Sequence, residues 1–359
     1  MNKRILLHGA TDFGSSNFGD FIYSEIYYSF IKDCLPNAEV SFYNPSDYFK
    51  KYIRNYNFKR NDSKNAELLI YIPGGYFGEG NAAKIKHNLM QFYRFMPVGL
   101  KSVAKKRDIV VSGVGAGPNT DFLLTNSIKT VCQKASLVTV RDQESKLALE
   151  KLGVNNVVEG ADPILSFDYS QIIEQTKQID DIIAEAGIKK IVFVHYNHSE
   201  EALEKFAKVV NMIKSSSDNY HFVVGSDQIL TDEDEKLNKF KEICNVSFSH
   251  YRYDSPYELL YLLNKVDNVI TCKLHVGVIA TVFNKSVICI AEHPTKSKRY
   301  YKRIGYPKNC MSLYEVDESQ IFDLFMQTKD VNIAIPEAEM KLAKLHYDLL
   351  KEKLISDVK

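Results

Sequence analysis

The stretch Val269-Ile270-Thr271-Cys272-Lys273-Leu274-His275-Val276-Gly277 reads as a buried apolar strand that turns sharply into a helix. Strand followed directly by helix is the building step of a parallel α/β sheet, and the sequence on either side repeats it. Downstream, helix is expected over residues 276–283 and a strand over 287–291. Upstream lie a helix at 256–264, a strand at 221–224, a helix at 202–213 and a strand at 191–194. The first half has the same rhythm, with apolar runs at 4–7, 39–43, 68–72, 109–112 and 137–140 and helices at 21–35 and 141–153. Buried runs of four to six residues, punctuated by Gly, Pro and Asp, fit parallel strands with helical crossovers. A polar helical stretch over 170–185 ends at Gly187, which places the boundary between an N-terminal domain (1–186) and a C-terminal domain (187–335). Ala338, Leu342, Leu345 and Leu349 mark an amphipathic closing helix over 336–359. Two such units imply a cleft between them, and ligands of parallel sheets bind beyond the carboxyl ends of the strands.

Across 359 residues, 46 Lys and Arg oppose 45 Asp and Glu, a net charge of +1. This balance removes the usual electrostatic basis for a nucleic-acid or anionic-membrane binder, so any anion site must be local. Hydrophobic residues make up 45%, an ordinary globular share. The run Ile5-Leu6-Leu7 is too short for a signal-peptide core, and no apolar stretch approaches the ~18 residues of a membrane span. Six scattered cysteines contain no C-x-x-C pair, so reduced, mostly buried thiols in a cytoplasmic setting are expected.

Several loops carry residues suited to chemistry. Asn17-Phe18-Gly19-Asp20, after a loop with Gly14, Ser15 and Ser16, precedes a helix where free backbone N–H groups could hold an anion or a sugar hydroxyl; Asp20 is equally suited to capping that helix. Gly74 and Gly75, with Gly78 and Gly80, let backbone approach a ligand closely or simply make turns. Gly113-Val114-Gly115-Ala116-Gly117-Pro118 has the look of a dinucleotide loop, but Pro118 stands where a helix would have to open, so NAD is not expected. Arg141, directly after a strand, can grip a carboxylate or phosphate with two parallel hydrogen bonds or form a salt bridge. Asp162, before Pro163, suits a turn as well as a site. Strand alternation would put Lys273 and His275 on one side, joining a cation to a proton-transfer group. Lys296, Lys298, Arg299, Lys302 and Arg303 form a basic cluster in a loop, most of it solvated. His195 and His198 lack an evident third ligand, and no metal site is expected. Tyr23, Tyr76 and Phe77 could stack on sugars, although aromatic residues this abundant are mostly core.

Taken in order, these motifs resemble the polysaccharide pyruvyl transferase family. The matching positions are Asn17 to Asp20, Gly74-Gly75, Gly113 to Pro118, and Val140-Arg141-Asp142 with Ser145, Leu149 and Gly153. They continue through Asp162-Pro163, Lys273-Leu274-His275, Ala280, and Lys296 nine residues before Gly305. The resemblance implies an α/β fold of two Rossmann-like domains with a central cleft, like the glycosyltransferase B type. It implies transfer of a pyruvyl group from phosphoenolpyruvate, a donor substrate with no further cofactor, to two hydroxyls of a glycan or lipid-linked sugar, closing a ketal. By the same resemblance His275, Lys273 and Arg141 are catalytic. Asn17, Gly19, Asp20, Gly74, Gly75, Gly115, Gly117 and Lys296 would bind substrate, and membrane contact would be at most peripheral. The family usually has Arg-x-His where this chain has Lys273-Leu274-His275, and lysine keeps the charge without the planar fork. A nucleotide-sugar glycosyltransferase of the same architecture and a non-catalytic carbohydrate-binding relative are the alternatives.

Overall fold

The computed structural model describes residues 3–12, 17–54, 65–78, 85–196 and 199–356. Gly14, Ser15, Ser16, Gly80, Asn197 and His198 lie outside the described residues. The chain forms two compact units: Met1–Gly14, Asp20–Phe167 and Glu337–Lys359 make the first, and Ser15–Gly19 with Asp168–Pro336 the second.

The first unit is built on a wholly parallel sheet of β1 (Arg4–His8), β2 (Glu39–Phe42), β3 (Leu68–Tyr71), β4 (Gly74–Phe77), β5 (Asp108–Ala116), β6 (Leu137–Val140) and β7 (Val157–Glu159). Its order is β2-β1-β3-β5-β6-β7, with β4 paired to β5. The crossovers are α1 (Phe18–Cys34), α2 (Asp47–Tyr52), α3 (Ile85–Ala104), α4 (Phe122–Lys134) and α5 (Gln143–Lys151). β3 is an unbroken apolar run and β6 is apolar but for Thr139, because both faces of a parallel sheet are covered. Gly153, just past α5, has φ of 76°, the left-handed stop read from the sequence.

Two glycine-rich segments expected as loops are strand. Gly74-Gly75 opens β4, and Gly113 to Ala116 continues β5, because backbone pairing to neighbouring strands satisfies their N–H and C=O groups without any side-chain pattern. No helix opens at Gly117; the next begins at Phe122, capped by Asp121.

The second unit repeats the plan with α6 (Lys177–Ala186), β8 (Lys190–His195), α7 (Glu200–Ser216), β9 (Tyr220–Gly225), α8 (Glu233–Ile243), β10 (Ser249–Tyr251) and α9 (Pro256–Lys265). Next come β11 (Asn268–Thr271), α10 (Leu274–Val282), β12 (Ser286–Ala291), α11 (Pro294–Arg303), β13 (Cys310–Ser312) and α12 (Glu318–Thr328). All six strands are parallel in the order β10-β9-β8-β11-β12-β13. The helix expected from residue 170 is shorter. Asp168 instead caps a single 3-10 turn at Tyr169–Gln171, and α6 starts at Lys177. The basic cluster near Lys296 is helix rather than loop, with Pro294 at its first position where no N–H is needed.

The chain then returns to the first unit as α13 (Glu337–Ser356). Its buried face is Ala343, His346, Tyr347, Leu350 and Leu354, whereas Ala338 is exposed and Leu342, Leu345 and Leu349 are half-buried. The apolar stripe therefore lies to one side of the buried face, because one of the fully buried positions is the polar His346. His346 Nε2 lies 2.7 Å from the Ala161 carbonyl and must donate to it. Nδ1 then accepts from the Thr139 hydroxyl at 2.7 Å, and Thr139 accepts in turn from Gly113 N–H at 2.9 Å. Tyr347 donates to the Pro163 carbonyl and packs its ring on Tyr27 and Phe30.

Candidate functional site

In the second unit, polar side chains gather beyond the carboxyl ends of β8, β9 and β11. Thr271 ends β11, and Lys273 stands as the residue before α10. A turn forms because Lys273 N–H donates to Thr271 Oγ1 at 3.0 Å. Thr271 Oγ1 also lies 2.9 Å from Nδ1 of the fully buried His195, at the end of β8. Asp227, two residues beyond β9 and 1% exposed, faces both. Lys273 Nζ donates to its two oxygens at 2.9 and 3.3 Å. His195 Nε2 approaches Oδ1 at 3.3 Å, a contact of charge and dipole rather than an aligned hydrogen bond. Burial alone would raise the Asp227 carboxyl, but the Lys273 ammonium and the His195 ring outweigh it and hold it well below the usual carboxylate range.

His275 is the second residue of α10, so the alternation expected for Lys273 and His275 does not apply. The strand has ended at Thr271; Lys273 keeps an extended backbone as the residue before α10, and only His275 is placed by helical geometry. Lys273 retains 23% of its side-chain exposure. Around His275 the first turn of α10 offers backbone N–H groups and the positive end of the helix dipole. Residues 17–19 group with this unit, and a Cβ at Gly19 would collide with the His275 imidazole. Asn17 Oδ1 accepts from Gly19 N–H at 3.1 Å, so Asn17 serves the capping role weighed for Asp20, which sits in the first turn of α1. Lys296 is exposed on α11, and Lys298 pairs with Glu315 at 3.3 Å.

In the first unit, Arg141 follows β6 and its side chain is 10% exposed. Its Nη1 donates to Tyr23 Oη at 3.2 Å and lies 3.7 Å from Asp162; Tyr23 donates to Asp162 at 2.7 Å. Burial disfavours the guanidinium charge, but Tyr23, Asp162 and Asp142 more than offset it, and Arg141 is a permanent cation. A Cβ at Gly115 would come within 3.1 Å of Arg141 Nε and Nη2, so glycine there leaves the guanidinium its place. Gly75 is exposed on β4, while Gly78 approaches Gly117 so closely that a Cβ would stand 2.5 Å from the Gly117 nitrogen. Tyr23, Tyr76 and Phe77 are all core, with Tyr76 stacked on Phe95 at 4.3 Å, which removes them as sugar-stacking rings.

The structure thus brings together Lys273 and His275 in one unit and Arg141 with Gly115 in the other. Sequence reading missed Asp227, the buried partner of Lys273, and the Tyr23–Asp162 pair that fixes Arg141. The signal for Asp227 was its place just past an apolar strand, the same logic that found Lys273.

Solved structures of similar fold include a candidate UDP-N-acetylglucosamine 2-epimerase of Listeria monocytogenes (11% identity, TM-score 0.65, covering 99% of this chain and 98% of that one). The UDP-GlcNAc 2-epimerase of Methanocaldococcus jannaschii is 12% identical, with TM-score 0.61 over 98% and 100% of the two chains. That of Neisseria meningitidis, bound to UDP-GlcNAc, is 9% identical, with TM-score 0.60 over 98% and 100%. At such identity the likeness shows the fold alone: two Rossmann-like units of the glycosyltransferase B class. Among curated proteins no relative matches. The sequence profile that does match is the one named Polysaccharide pyruvyl transferase, over residues 17–294, a span that takes in Gly19, Arg141, Asp227, Lys273 and His275. On that match the chain is a member of the polysaccharide pyruvyl transferase family.

Proposed function

We propose that this protein transfers a pyruvyl group from phosphoenolpyruvate to two hydroxyls of a cell-surface polysaccharide or its precursor, forming a cyclic ketal. The observation that carries the reading is the β11–α10 junction. An ammonium there is anchored by a buried carboxylate, a histidine follows two residues later at the positive end of a helix, and both fall within the family match. In the reaction, the methylene carbon of the donor's enol takes a proton and an oxocarbenium-like centre forms. A sugar hydroxyl attacks that centre, phosphate leaves, and the second hydroxyl closes the ring. His275 is the group suited to move the protons, since an imidazole titrates near neutrality. The α10 N-terminus, Lys273 and Lys296 favour the donor's negative charge. Because Lys273 already neutralises Asp227, its contribution is a hydrogen-bond donor in a fixed position more than a free positive charge. Arg141, held by Tyr23 and Asp162, is assigned by the resemblance to bind carboxylate or phosphate.

Thermal shift with phosphoenolpyruvate and, separately, with UDP-sugars tests the reading. Stabilisation by phosphoenolpyruvate and not by UDP-sugars is expected. A UDP-sugar acting alone would point to a glycosyltransferase, and no shift with either would point to a non-catalytic relative. His275→Ala should abolish ketal formation, read by mass analysis of glycan precursors, with the thermal midpoint little changed. Near-normal turnover would sink the assignment.

A further inference from the structure

The first unit exposes large apolar side chains at one end of its helix layer. On α3, Ile85 is 76% exposed, Leu89 40%, Met90 43% and Tyr93 70%; on α4, Phe122 is 83% and Leu123 42% exposed. At about 100° per residue, the α3 four and Lys86 fall within an arc of about 140°. The opposite side of α3 buries Phe95, Val98 and Ser102 in the unit. α3 and α4 pack side by side. Each returns the chain to the start of a parallel strand, α3 to β5 and α4 to β6, so the two helices run the same way. α4 is the shorter helix and Gly99 of α3 faces Val131 of α4, so the first turn of α4 lies level with Met90 to Tyr93, and the exposed apolar residues of both helices fall on the half of the layer toward the carboxyl ends of the strands.

The charge on this layer is one-sided. α3 carries Lys86, Arg94 and Lys101, α4 carries Lys129 and Lys134, and neither helix contains Asp or Glu. Arg94 is spent on Asp12, at 2.9 and 2.5 Å. Asp121, the residue before α4, is turned into the first turn of that helix, where it accepts from Leu124 N–H at 2.8 Å. A chain that is neutral overall thus has a helix layer with exposed apolar residues, lysines and no acid of its own.

We propose that this end of α3 and α4 docks on an anionic lipid surface. Leu89, Tyr93, Phe122 and Leu123 enter the headgroup boundary, and Lys86 and Lys129 meet lipid phosphate. Apolar residues flanked by lysines are the pattern by which a helix lies in an interface without crossing it. Among the described residues no helix is long and apolar enough to span a membrane. A second copy of the chain fits less well, because a two-fold interface would set this acid-free face against itself.

The test is sedimentation of the full chain with vesicles of phosphatidylcholine alone or with about one third phosphatidylglycerol. It does not depend on pyruvyl transfer. Binding is expected only to the anionic vesicles, weakening as salt is raised. Leu89→Ser/Tyr93→Ser/Phe122→Ser should lower partitioning at least tenfold, and Lys86→Glu/Lys129→Glu by about 25-fold or more, at roughly one factor of five for each lysine charge lost. These residues lie at the surface, so thermal midpoints should stay near that of the parent; the charge variant keeps the test decisive if the apolar one unfolds. Failure of the parent chain to sediment with anionic vesicles would overturn the proposal, as would full binding by the charge variant. So would a dimer, seen by light scattering, that the triple variant dissolves while neither protein binds vesicles.

Discussion

Replacing His346 by alanine should loosen the first unit at the seam where α13 rejoins it. The imidazole is fully buried and makes two hydrogen bonds of 2.7 Å, to the Ala161 carbonyl and from the Thr139 hydroxyl. Removing it leaves the Ala161 carbonyl dry and unpaired, at about 1–3 kcal/mol. The emptied ring volume adds to this, and large-to-alanine changes in cores cost about 2–5 kcal/mol in all. Thr139 keeps its bond from Gly113 N–H, which limits the damage. A total of about 3–5 kcal/mol is therefore expected, or a fall in the unit's thermal midpoint of roughly 6–20 °C. Hydrogen exchange by mass spectrometry should show β6, β7 and α13 losing protection while β8, β9 and β11 keep theirs. His346→Phe refills the volume without the hydrogen bonds and should fall between the parent and the alanine variant. A phenylalanine variant as stable as the parent would refute the hydrogen-bond argument, and an alanine variant within about 1 kcal/mol would refute the whole account.

Acid should destabilise the same unit through His8. Burial pushes its imidazole down to about 4 against the Phe95 carbonyl and Asp12, so the folded chain resists a proton that the unfolded chain accepts below about 6.5. Stability is whole above pH 6.5 and falls by about 3 kcal/mol as pH drops from there to about 4; His8→Phe should flatten that slope in urea titrations at stepped pH. Asp227→Ala strands the Lys273 ammonium beside His195 and should cost about 3 kcal/mol, less than the upper range for buried pairs because Lys273 can turn toward water. Calorimetry showing no loss would mean the pair is not held as described. Gly19→Ala should displace the His275 ring and cut transfer at least tenfold with exchange protection of β8 and β11 retained; unchanged turnover would remove Gly19 from the site.

Long apolar runs made much of the architecture readable. β6 falls on residues 137–140 as its sequence indicates and β11 carries the run Val269-Ile270 that announced it, since strands covered on both faces are mostly hydrophobic. β4 was hidden because its first two residues are glycines, which carry no periodic signal, and α11 because five basic residues in ten look like a solvated loop. At the site, the strand–helix junction announced Lys273 and His275, but their surroundings depend on residues distant in the chain. Lys273 meets Asp227 across 46 positions, and Arg141 meets Tyr23 across 118. The closing helix shows the same limit: its central contact spans 207 residues and joins a histidine to a threonine, a pairing no hydrophobic pattern encodes.

That contact also orders events on the ribosome. Because α13 belongs to the unit that β1 begins, the second unit is an insertion within the first, and it emerges and can fold while the first is still incomplete. Until α13 leaves the exit tunnel, Tyr27, Phe30 and Thr139 have no lid, and the unit begun before the other is completed after it.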